Sequence, residues 1–123
     1  MLDRLSPKRI VVVSSAPQIR YPDCYGIDMA NLESLVAFRA ALSLLKDAGK
    51  YGLLEKIYVK CKAQENYEDS KVENFIKEIY APFSATQISE KIASLLSADG
   101  ITAEVKIIYQ TIENLHHACP KNL

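Results

Sequence analysis

Ile10-Val11-Val12-Val13-Ser14-Ser15-Ala16-Pro17 decides how this chain is read. Four consecutive β-branched residues without polar alternation are the pattern of a strand covered on both faces, as in a parallel sheet. The reading gives a strand over Ile10–Ala16. Small polar residues and a proline follow at once, so the carboxyl end of the strand opens into a turn. In open α/β sheets ligands bind at that edge. Ser14 and Ser15 are therefore candidates to donate hydrogen bonds to a phosphate or ribose, or else to tie down the turn at Pro17.

Outward from the strand, residues 17–28 form a loop rich in turn formers. Arg20 stands there either as a cation for an anionic ligand or as half of a surface salt bridge. In Tyr25-Gly26-Ile27-Asp28, Gly26 suits an unusual backbone dihedral or a close ligand approach. Asp28 either borders a nucleotide pocket or sits as a favourable carboxylate at a helix start. Asn31 is the expected N-cap of that helix, with Leu32, Leu35, Phe38, Leu42 and Leu45 on one face and Gly49 as its stop.

Residues 50–100 give helical signals and no convincing strand. Leu53, Leu54, Ile57, Tyr58 and Cys61 recur at helical spacing. Ser70 with Glu73 reads as a capping box ahead of the stripe Val72, Phe75, Ile76, Ile79 and Tyr80, which Pro82 breaks. Ser84 with Gln87 reads as a second box, stapled by Phe83 and Ile88, ahead of Ile92, Leu95 and Leu96. Ala103–Tyr109 alternates as a half-buried second strand. Thr111 then caps a short helix with Ile112 and Leu115. The chain thus divides into a strand–loop–helix (1–49), a helical segment (50–100) and a closing strand and helix (101–123).

Composition excludes several classes. The 123 residues suffice for one domain, and 15 basic against 15 acidic side chains leave no net field to attract nucleic acid or an anionic membrane. No apolar run approaches the ~20 residues of a membrane span. Cys24, Cys61 and Cys119 are an odd count without close spacing, as expected of reduced thiols in the cytoplasm. His116 and Cys119 lie three apart, but without further ligands the cluster is read as favourable charge at a helix end rather than a metal site.

Two strands do not make an independently stable parallel sheet. Either the helices form most of the core, or further strands complete the sheet from sequence outside this chain; the second reading is preferred.

Over Arg9–Met29 the wording resembles the amidophosphoribosyltransferases. A strand of this kind leads there into a Ser-Ser-Ala-Pro type turn, an Arg-Tyr-Pro step and a Tyr-Gly-Ile-Asp element before a helix. The resemblance implies an α/β fold: part of a phosphoribosyltransferase-type parallel sheet flanked by helices, with 50–100 as a helical insertion. It implies that the parent enzyme takes glutamine, phosphoribosyl pyrophosphate and water to phosphoribosylamine, glutamate and pyrophosphate in purine synthesis. Ser14, Ser15, Arg20, Tyr25, Gly26 and Asp28 would wall the phosphoribosyl or nucleotide pocket.

The family's paired acidic residues, which serve Mg²⁺ and ribose, and its Gly-Thr-Thr phosphate turn have no counterpart here. On this alignment they lie upstream, so no catalytic residue and no Mg²⁺ ligand is expected in this chain, which alone should be inert. Some members ligate an iron–sulfur cluster with the cysteine after the proline matching Pro22; here Asp23 holds that place, and no Cys-x-x-Cys occurs, so no cluster is expected. Expected partners are purine nucleotides, the amino-terminal part of the same enzyme and further copies in a homo-oligomer. The rivals are a freestanding α/β nucleotide-binding or regulatory module without catalysis, and a helical interaction protein built around 50–100.

Overall fold

The β-branched run forms strand β1 (Arg9–Ser14), and its partner β2 (Glu104–Tyr109) lies parallel to it, Arg9 opposite Glu104 through Ser14 opposite Tyr109. This computed structural model describes residues 2–22, 31–68, 71–97 and 100–121. Among the described residues the two strands are separated by α1 (Val36–Asp47), α2 (Tyr51–Ala63), α3 (Lys77–Tyr80) and α4 (Ala85–Ser97), and β2 is followed by α5 (Ile112–Ala118). The class is mixed α/β, with five helices and a two-stranded parallel sheet among the described residues. None of those helices is long and apolar enough to cross a membrane.

The core lies mainly between helices. Leu45 of α1 and Ile88 and Ile92 of α4 are fully enclosed, and Ala37, Ala40 and Ala41 let α4 approach α1 closely. Enclosing each large aliphatic chain contributes about 1.5–3 kcal/mol. Ile79 and Tyr80 of α3 and Ile57 of α2 complete the cluster, and Ile107 and Tyr109 of β2 pack against it.

Local signals explain most helix ends. Ser84 and Gln87 form the reciprocal box: the Gln87 N–H donates to Ser84 Oγ (3.2 Å) and the Ser84 N–H to Gln87 Oε1 (2.9 Å). Thr111 Oγ1 accepts from the Asn114 N–H at 3.1 Å, starting α5. Gly49, at φ +67°, ends α1: its N–H donates to Lys46 O, and the Lys50 N–H reaches back to Leu45 O. This is the six-to-one, five-to-two pattern that a left-handed glycine makes possible.

Four expectations are corrected. The first strand ends at Ser14 rather than Ala16, and its two faces are not both covered: Val11, Val12 and Val13 are 48%, 44% and 69% exposed. The reason is placement, because α4 packs on β2 and α1 while β1 leans chiefly on β2. The helix expected from Leu32 is broken in two. Asn31 Oδ1 accepts from the Glu33 N–H (3.0 Å) to start a 3-10 turn over Leu32–Ser34, and extended Leu35 separates that turn from α1.

The expected helix from Val72 shrinks to α3, and Val72 is half exposed. Gln64 brackets the Glu73 backbone, its Nε2 donating to Glu73 O (3.0 Å) and its Oε1 accepting from the Glu73 N–H (2.7 Å). Asn74 Oδ1 also accepts from the Ile76 N–H (3.1 Å). Such side-chain bonds offer the backbone an alternative to helix, so 72–74 stays outside it. Ser70 lies outside the described residues. Tyr58 and Leu96 face outward from their helices: Tyr58 is exposed with the Lys62 ammonium over its ring, and Leu96 edges a shallow apolar cleft with Leu2, Ile10, Val12 and Val105.

Candidate functional site at the carboxyl edge of the sheet

Parallel register makes both strands leave the sheet at one edge. Ser14 ends β1 beside Tyr109, so the loop after β1 and the Gln110–Thr111 step after β2 emerge together. That edge is where open α/β sheets place ligands.

The Ser14 hydroxyl closes a turn on itself: Oγ donates to Ala16 O (3.0 Å) and accepts from the Ala16 N–H (3.2 Å). This turn pulls the chain out of the strand before Pro17. Ser15 is exposed at the rim. Both bonds of the Ser14 hydroxyl go to the Ala16 backbone, so it serves as a turn-closing group.

The next turn of the loop is tied to the helices. Gln18 Nε2 donates to Ala85 O and to Ser89 Oγ, both at 2.7 Å, at the first turn of α4. Its Oε1 accepts from Arg20 Nε (3.2 Å) and Nη2 (2.9 Å). The Arg20 guanidinium lies 5.4 Å from the centre of the Tyr80 ring, within cation–π range. The Tyr80 hydroxyl donates to Arg20 O at 2.6 Å, and Tyr21 meets the Tyr80 ring edge-on at 5.7 Å.

Burial pushes the Tyr80 hydroxyl up to about 12, the neighbouring Tyr21 adds to the rise, and Arg20 opposes it. Tyr80 is therefore a neutral donor at physiological pH. Burial likewise raises Tyr109.

The half-buried guanidinium of Arg20 is thus oriented by an amide and an aromatic face, where the sequence offered a ligand or a salt bridge. Among the described residues it makes no ion pair. Tyr25, Gly26 and Asp28 lie outside the described residues. Gln18, Tyr80 and Ser89 escaped the sequence reading. Tyr80 stood in an apolar helical stripe and read as core, and no spacing links it to Arg20, 60 residues away. An apolar stripe ending in tyrosine is the one available hint, since a buried phenol needs a partner.

The arrangement offers a cation, amide and hydroxyl groups at a strand edge, which are binding groups. Among the described residues no three His, Cys, Asp or Glu side chains converge to hold a metal ion. Comparison with protein-family models, curated proteins and solved structures gave no match for this chain.

Proposed function

We propose that this chain is a carboxyl-terminal portion of the phosphoribosyltransferase domain of a cytoplasmic amidophosphoribosyltransferase. It supplies structural support and one wall of the pocket for phosphoribosyl pyrophosphate or a purine nucleotide. The reaction of the whole enzyme joins ammonia released from glutamine to the ribosyl carbon of phosphoribosyl pyrophosphate, with pyrophosphate leaving. This chain contributes binding groups at the carboxyl edge of β1 and no acid, base or nucleophile; Mg²⁺ ligands belong to another part of the enzyme.

One observation carries the reading. β1 is apolar towards both faces, yet Val11 and Val13 on one face and Val12 on the other remain 44–69% exposed. A strand of that composition belongs inside a covered parallel sheet, and an open apolar edge is a liability that proteins otherwise blunt. The stretch Arg9–Met29, with its family resemblance, names the enzyme to which such a sheet would belong.

A second reading, the freestanding nucleotide-binding module, draws on the enclosed helical core around Leu45, Ile88 and Ile92, which needs nothing from outside the chain. The two separate in one assay. The protein encoded by the complete reading frame is supplied with glutamine and phosphoribosyl pyrophosphate, and pyrophosphate release is followed. Glutamine-dependent release supports the enzyme; nucleotide binding without release supports the module.

A further inference from the structure

The helical segment reaches the strand-end loop through two independent sets of bonds. On one side Tyr80, at the end of α3, donates its hydroxyl to the Arg20 carbonyl at 2.6 Å. On the other, Gln18 spans Ala85 O and Ser89 Oγ on α4 while its oxygen holds the Arg20 guanidinium. Both anchors belong to residues 50–100, whose role the sequence left open. They grip the two ends of a three-residue step, Gln18 to Arg20.

Chemistry favours permanence at both anchors. The Tyr80 ring is 3% exposed and part of the core, and its hydroxyl stays protonated at neutral pH. The tie to Arg20 O therefore joins the loop backbone to the enclosed core of the chain. Ser89 is fixed in turn, because its hydroxyl also donates to Ala85 O at 3.0 Å.

We propose that Tyr80 and Ser89 are positioning residues, and that the helical segment serves as a clamp holding the loop after β1 so that Arg20 is aimed as a fixed cation. That Arg20 then meets a phosphate-bearing ligand rests on the pocket-wall reading above. The clamp itself does not.

Trypsin reads the clamp directly, because the carbonyl that Tyr80 holds belongs to the Arg20–Tyr21 bond that the protease must distort. Tyr80→Phe removes the hydroxyl and keeps the ring against Arg20 and Tyr21. Cleavage after Arg20 should quicken about fivefold, the equivalent of one ordinary hydrogen bond, while cleavage after Arg39 in α1 stays at the wild-type rate. Ser89→Ala should give a smaller increase at the same bond. An unchanged rate at Arg20 in Tyr80→Phe overturns the proposal. So does equal acceleration at Arg20 and Arg39, since the hydroxyl would then support the whole core rather than the loop.

A second readout isolates the ligand. In the protein encoded by the complete reading frame, inorganic pyrophosphate should slow cleavage after Arg20 in the wild type, and Tyr80→Phe should need more pyrophosphate for the same protection. Absence of protection in the wild type removes the pocket reading and leaves the clamp standing. Protection of equal strength in both proteins overturns the claim that Tyr80 aims Arg20.

Discussion

Val13→Thr probes whether the bare face of β1 is covered in the protein at work. Threonine keeps the shape of valine and its fitness for a strand, so the substitution asks only what surrounds one methyl. In this chain Val13 is 69% exposed, and its neighbours on that face, Val11 and Ile108, are 48% and 44% exposed. A hydroxyl placed there reaches water, so stability should change by less than about 0.5 kcal/mol. Under a covering helix the same hydroxyl would lose its water and cost about 1–3 kcal/mol.

Urea unfolding followed by far-ultraviolet circular dichroism measures the difference, since the chain has no tryptophan to report by fluorescence. With a slope of about 1.5 kcal/mol/M, the exposed case moves the midpoint by no more than about 0.3 M, and a 2 kcal/mol cost moves it by about 1.3 M. Leu45→Ala, which empties a fully enclosed site, serves as the reference at about 2–5 kcal/mol. The account expects Val13→Thr to be nearly silent in this chain and costly in the complete protein. Silence in both would refute the argument that β1 belongs to a covered sheet.

Three further outcomes follow from the same physics. Ser84→Ala removes the hydroxyl that caps α4 and should cost about 1 kcal/mol in urea unfolding, recovered in part by Ser84→Asp. Gly49→Ala should cost about 1 kcal/mol, purely from backbone strain at φ +67°, because nothing lies within 4 Å of the added methyl. Alkaline titration should destabilise the chain: the folded state holds the Tyr80 proton up to about 12 while the unfolded chain releases it near 10, so this contribution is whole below pH 10 and is lost as pH rises through 12. The pH dependence of the unfolding midpoint should flatten over that range in Tyr80→Phe.

Much of the fold was legible wherever the signal is local. The capping residues Ser84, Gln87 and Thr111 and the terminating Gly49 act within a single turn, so their spacing alone placed the start of α4, the start of α5 and the end of α1. Strand β2 was legible because alternation over Ala103–Tyr109 records a sheet with one buried face. What failed depended on distant or competing partners. Val72 sat in a good helical stripe, but Gln64 captured the Glu73 backbone from nine residues away and Asn74 bent the chain locally. Exposure of Val11, Val12 and Val13 was invisible, because a β-branched run reports the environment a strand suits, and the cover must come from elsewhere.

The candidate site divides the same way. Ser14 closes a turn on the Ala16 backbone, the turn-tying alternative that the sequence offered beside a ligand role. The bond from Tyr80 to Arg20 could not be read, since it joins two segments whose approach is set by how α3 and α4 pack on the core.

Sequencing the reading frame upstream of Met1 separates the enzyme portion from the freestanding module. The account predicts an open frame that carries a pair of adjacent acidic residues and then a Gly-Thr-Thr turn shortly before this chain, with a glutaminase beginning in cysteine further upstream. An in-frame stop and a ribosome-binding site immediately before Met1 would contradict it.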